Sequence, residues 1–186
     1  MKKLLTLSFM VSMLLFIACE KTETFDDTRR IDNEEQFAKI SRNSEYKKLE
    51  SKTGEGFIMY KVIEEGVSEE KPLFNDKVKV QYTGWYKHYW TRDDEFTGDD
   101  GNTFKNKLVF DTTELDEGKH ATREFTVNGT VDGYATALQH MNVGDKWEIW
   151  IPWKLGYGGG YGYTSSSRIP EYTTLCFEIK LVGVVK

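Results

Sequence analysis

The chain has 186 residues, 30% of them charged and 14% aromatic, with a net charge of −5 at pH 7. That length suits one ordinary domain plus a tether, and the acidic balance argues against nucleic acid as the partner. Only two cysteines, Cys19 and Cys176, are present, which excludes a disulfide-dense scaffold.

In chain order, "MKKLLTLSFMVSMLLFIACE" opens with Lys2 and Lys3, runs apolar from Leu4 to Ala18 and meets a small residue just before Cys19. Residues 1–18 therefore read as a secretory signal peptide, too short to span a bilayer comfortably and followed at once by acids. The segment "FIAC" resembles a bacterial lipobox, with Phe16 where Leu is usual. That resemblance implies lipidation of Cys19 and a protein anchored to a membrane, with everything after the anchor soluble. The alternative is an ordinary signal peptide with an incidental Cys19. Loss of the signal removes two lysines and no acid, so the remainder is more acidic still. Cys176, in the apolar run "TLCFEIKLV", is expected to be buried and inert.

Residues 19–45 are polar and lack sustained apolar periodicity, so they are expected to form a lipid-anchored flexible spacer with at most one short helix around Glu34 to Ile40. A domain over 46–186 follows. "DKVKVQYTGW" sets Val78, Val80 and Tyr82 against Lys77, Lys79 and Gln81, the period of a half-buried strand. "DKWEIWIPW" repeats it with Trp147, Ile149 and Ile151, and "TLCFEIKLVGV" with Leu175, Phe177, Ile179 and Leu181. Between them, Tyr134, Ala137, Leu138 and Met141 recur at helical spacing, with Asp132 as expected N-cap and Asn142 to Gly144 as the stop. Antiparallel strands on one short amphipathic helix make an α+β arrangement.

The ordered motifs "VQYTGW", "VFDTT", "FTVNGTVDGY", "ALQHMNVGDKWEIWIP", "LGYG" and "IPEYTTLCFEIKLV" together resemble the FKBP-type peptidyl-prolyl isomerases from about Gly56 to the C-terminus. The resemblance implies a twisted antiparallel sheet wrapped around one short helix, with a shallow apolar pocket between them. It implies catalytic roles for Asp111, Tyr157, Tyr82 and Phe110. Substrate would be bound by Phe125, Thr130, Val131, Tyr134, Ile169 and Phe177, with Tyr134 as the floor and the Thr130 backbone amide as a donor to ligand. Three positions depart from the common pattern: Tyr134 where Trp is usual, Thr130 where Val is usual, and Glu171 where a second Pro is common. The glycine-rich stretch "GYGGGYGYTSSSRIP" then becomes a flap, with Tyr157 at the pocket rim and Tyr161, Tyr163 and Ile169 able to meet an extended peptide.

The reaction implied is rotation about an X–Pro bond, which needs no nucleophile, metal or cofactor. His88, His120 and His140 show no metal-ligand spacing, and none is placed to switch the site with pH. "RDDEFTGDDGN" is acid-rich, but its glycines do not fall where a calcium loop needs them. "GYGGGY" does not complete a dinucleotide-binding motif, and Ser165 to Ser167 lack the companions of a hydrolase. The expected function is a monomeric prolyl isomerase at the bacterial cell envelope, on the outer membrane or facing the periplasm, assisting exported polypeptides. A noncatalytic peptide-binding or chaperone lipoprotein on the same fold is the alternative, and a surface lipoprotein binding a partner protein or glycan a third reading. Residues 87–107 form an insertion where the family commonly has a short turn, with His88, Tyr89, Trp90 and Phe96 beside acids. It is expected to extend the client surface or dock a membrane-associated partner.

Overall fold

A computed structural model describes residues 25–159 and 169–185; the signal segment, Cys19, Tyr161, Tyr163 and most of the glycine-rich loop lie outside the described residues. The elements in chain order are α1 (Phe25–Ser41), β1 (Lys47–Glu50), β2 (Phe57–Glu64), β3 (Lys77–Lys87), β4 (Glu95–Thr97), β5 (Thr103–Lys105), β6 (Lys107–Thr112), β7 (Arg123–Thr126), α2 (Asp132–Leu138), β8 (Lys146–Ile151) and β9 (Leu175–Val185). The main sheet runs β1-β2-β8-β9-β3-β6, and β7 pairs with the first half of β3 on the edge that β6 shares. Every pairing is antiparallel.

Strict alternation along β3 and β8 buries one face of the sheet. Val78, Val80, Ile149, Ile179 and Leu181 point from it into a core shared with Ala137, Leu138 and Met141 from the α2 region. Each such side chain removed completely from water stabilises the fold by roughly 1.5–3 kcal/mol. The helix lies close to the sheet because Gly133 has no side chain there: a Cβ at this position would collide with Ile151. Asp132 is the first helical residue rather than the cap; Val131 occupies the N-cap with extended backbone and makes no side-chain cap bond. Cys176 faces the opposite way from Leu175 and Phe177 yet is also fully buried, and burial pushes its thiol well above its ordinary ionisation range.

The segment expected to be a flexible spacer instead carries a 17-residue helix packed on the domain. Among its described side chains the buried ones are Arg29, Asn33 and Phe37, one per turn on a single face. Phe37 meets the Phe57 ring at 5.4 Å. The other two dock through hydrogen bonds: the Asn33 carboxamide oxygen accepts from the Thr174 amide at 2.7 Å and from the Trp90 indole at 3.2 Å. A docking face built from an arginine and an asparagine leaves no apolar period to detect.

The insertion is ordered as well. Buried Asn106 pins its base, donating to the Tyr89 and Arg92 carbonyls at 2.7 and 3.0 Å and accepting from the Tyr89 amide at 3.0 Å. The β4–β5 hairpin closes on a turn where Gly101 takes φ +79° and Asp100 accepts from Asn102. The Asp100 carboxyl sits below its ordinary range because of the Asn102 hydrogen bonds, so its charge serves the turn. Among the described residues, no cluster of three His, Cys, Asp or Glu side chains is placed to hold a metal.

Candidate functional site

The open end of the core is a cavity of about 600 Å³ between α2 and the sheet. β3 supplies Tyr82, β6 supplies Phe110 and Asp111, β7 supplies Phe125, and β9 supplies Phe177. Thr130 and Val131 lead into α2, whose Tyr134 lies beneath, and Tyr157 follows the single turn Trp153–Leu155. The aromatic rings meet edge to face: Phe110 on Phe177 at 5.4 Å, Tyr134 on Phe177 at 5.0 Å and Tyr82 on Tyr134 at 6.3 Å. Gly84 makes room for two of them, since a Cβ there would lie 2.5 Å from Phe177 and 2.8 Å from Phe110.

One wall is polar. The Tyr82 hydroxyl donates to Asp111 Oδ2 at 2.5 Å and accepts from Arg123 Nη1 at 2.6 Å. The same guanidinium nitrogen reaches Asp111 Oδ2 at 2.8 Å and Oδ1 at 3.1 Å. Burial, reinforced by the Asp111 hydrogen bond and charge and opposed by Arg123, pushes Tyr82 ionisation far up. The phenol therefore stays protonated and keeps its donor on the carboxylate. Burial first, and the Asp111 charge second, likewise raise Tyr157.

Of the residues expected at the site, Tyr82, Phe110, Asp111, Phe125, Thr130, Val131, Tyr134, Tyr157 and Phe177 all line this one cavity. Ile169 does not: it is packed into the core cluster at 5% exposure. The Thr130 amide is already spent on the Val127 carbonyl at 3.3 Å, in a single 3₁₀ turn. The next amide, that of Val131, has no acceptor among the described residues, so the free donor of this segment sits one position later than expected. Arg123 is the residue that sequence reasoning missed. Its signal was the strand period: Arg123 stands two residues before Phe125, opposite Val80, on the same strand face; it does not line the cavity itself but holds Tyr82 and Asp111, which do. Asn128, Asp132 and Lys154 also border the cavity and carry no sequence signal of their own.

A curled antiparallel sheet, a short helix and an aromatic pocket between them define an FKBP-like domain. The 1.6 Å crystal structure of a peptidyl-prolyl cis-trans isomerase from Pseudomonas syringae pv. tomato shares this fold. Its TM-score is 0.60 at 24% identity, covering 89% of this chain and 99% of that one. The family model for FKBP-type peptidyl-prolyl cis-trans isomerases matches residues 68–182, and the chain belongs to that family. Among similar relatives, the FKBP-type 22 kDa peptidyl-prolyl cis-trans isomerase of Escherichia coli K12 is 33% identical over 132 residues, 70% of this chain and 52% of the relative. Outer membrane protein MIP of Legionella longbeachae is 34% identical over 129 residues, 69% of this chain and 45% of the relative. The chain thus spans about half the length of the curated relatives it matches.

Proposed function

We propose that the chain catalyses cis-trans isomerisation of X–Pro bonds in extended polypeptides. The observation that carries this reading is the aromatic cavity with Tyr82 and Asp111 in its wall and Arg123 bonded to both. The barrier to amide rotation, about 18–20 kcal/mol, comes from lost resonance, so no covalent chemistry is required. A pocket that holds the twisted imide better than either planar form lowers that barrier directly, each factor of ten in rate corresponding to about 1.4 kcal/mol. Phe110, Phe125, Tyr134 and Phe177 surround the proline ring and exclude water that favours the planar, polar amide. Asp111, held by Tyr82 and Arg123, and the Tyr157 hydroxyl orient the carbonyl as it turns. The Val131 amide holds the neighbouring backbone.

We further propose that residues 1–18 are a signal peptide, that Cys19 carries lipid, and that the domain assists exported proteins at the cell envelope. The leader pattern supports this, as does similarity to a relative named as an outer membrane protein.

The test is magnetisation-exchange NMR on short X–Pro peptides with the full chain in mild detergent, comparing it with Asp111→Ala and Tyr157→Ala. Acceleration that falls in both variants supports the reading. Binding without any acceleration overturns the isomerase and leaves a peptide-binding module on the same scaffold.

A further inference from the structure

Helix α1 holds both the segment that ends at Gly159 and the segment that resumes at Ile169. On the later segment, Arg29, 6% exposed, donates Nε to the Glu171 carbonyl at 3.1 Å and Nη2 to Thr173 Oγ1 at 2.8 Å. Asn33 takes the Thr174 amide. On the earlier segment, Glu34 accepts from the Trp153 indole at 3.1 Å, and Trp153 opens the turn that delivers Tyr157.

The two segments also hold each other. The Tyr172 amide donates to the Gly158 carbonyl at 3.1 Å, and the Trp153 and Tyr172 rings meet edge to face at 5.1 Å. Tyr172 does this with φ +55°, the single left-handed non-glycine residue among those described. Such a backbone persists only where its surroundings hold it. The residues on either side of it, Glu171 and Thr173, are the two that Arg29 grips. Gly159 admits the Tyr172 ring, which a Cβ at that position would strike.

We infer that α1 braces the pocket rim and that Arg29 is a positioning residue: by fixing Glu171 and Thr173 it keeps Tyr172 left-handed, and through the Tyr172–Gly158 bond it sets Tyr157 against the cavity. This rests on the isomerase reading above. Arg29 does not line the cavity, and α1 lies outside residues 68–182, the part that the family model matches. The glycine-rich flank gives Tyr157 little stiffness of its own, and a small displacement of a reacting group is expensive in rate.

The test uses the full chain in mild detergent with Arg29→Met, which keeps an apolar stem over Tyr86, and Thr173→Val, which removes the acceptor from the other side. Arg29→Lys serves as the conservative variant. Hydrogen exchange of the Tyr172 amide reports the brace, exchange at Ile179 reports the core, and X–Pro turnover reports function. In Arg29→Met, Tyr172 protection and kcat are each expected to fall about tenfold, with KM within about twofold and Ile179 unchanged. Thr173→Val is expected to lose less, Arg29→Lys to recover part of each loss, and Tyr157→Phe to cost little more once Arg29 is replaced. Unchanged Tyr172 protection in both variants overturns the inference. Lost protection with unchanged kcat overturns the positioning role, as does full additivity with Tyr157→Phe. If the wild-type chain shows no turnover, the isomerase reading fails separately. The brace is then decided by Tyr172 protection together with peptide affinity: a fall in both supports it, and an unchanged value of either overturns it.

Discussion

Tyr134 carries the sharpest conflict between chemistry and position. Its ring closes the bottom of the cavity, where the family commonly has Trp, yet its hydroxyl is completely buried with no hydrogen-bond partner among the described residues. Burial, with the Asp111 charge adding to it, pushes its ionisation well up, so the group stays a neutral, unpaired phenol. Leaving a buried hydroxyl unmatched costs about 1–3 kcal/mol, whereas the ring contacts survive its removal. Tyr134→Phe is therefore expected to stabilise the protein by about 1 kcal/mol, read as a higher urea midpoint at unchanged slope. A lower midpoint would mean that the hydroxyl is paired in solution. The pocket aromatics were legible because six ordered motifs placed them together. Arg123 was not, because one arginine in a short strand looks like surface charge until its register beside Tyr82 is known. At 47% and 40% side-chain exposure, Arg123 and Asp111 form an ion pair of little worth to stability, so the value of that pair lies in orienting the carboxylate.

At the scale of elements, β3, β8 and β9 were readable from alternation alone, since each buries one face and the pleat imposes the period. α1 was not, because its docking stripe is Arg29, Asn33 and Phe37, and two of these three residues are polar. The helix edge carries the pH dependence that the pocket lacks. His88 does not line the cavity; its Nδ1 faces Arg29 Nη1 at 3.5 Å and its ring meets Tyr86 edge to face. Burial first and the Arg29 charge second lower its ionisation below the usual 6.5. The unfolded chain therefore takes a proton near that pH that the folded chain refuses. Stability from this contact is complete above about pH 6.5 and is lost as the pH falls toward the lowered folded value. Thermal midpoints followed from about pH 7.5 down to about pH 5 should fall more steeply for the wild type than for His88→Gln. Equal slopes would show that His88 stays solvated and free of Arg29.

For the whole molecule, the question is where the folded unit starts. The family match begins at residue 68, β1 begins at Lys47, and polarity alone had assigned residues 19–45 to a spacer. The contacts of α1 place the boundary much earlier. A chain cut to residues 45–186 loses the only acceptor shown for the Thr174 amide and the Trp90 indole, uncovers Phe57, and leaves Tyr86 without the guanidinium that lies over its ring. Two unmatched N–H groups and a partly exposed aromatic cost on the order of 2–4 kcal/mol, reduced by whatever the 17 residues of the helix regain in freedom. The truncated chain is accordingly expected to unfold at a clearly lower urea concentration than a chain beginning at residue 20. Tyr172 exchange should be faster in it, while Ile179 exchange follows only the change in global stability. If the two chains unfold together, α1 is not docked in solution and the polar stretch is a tether after all. If they separate as expected, only residues 20–24 remain between Cys19 and the brace, so a lipidated chain would hold its pocket close to the membrane rather than at the end of a long leash.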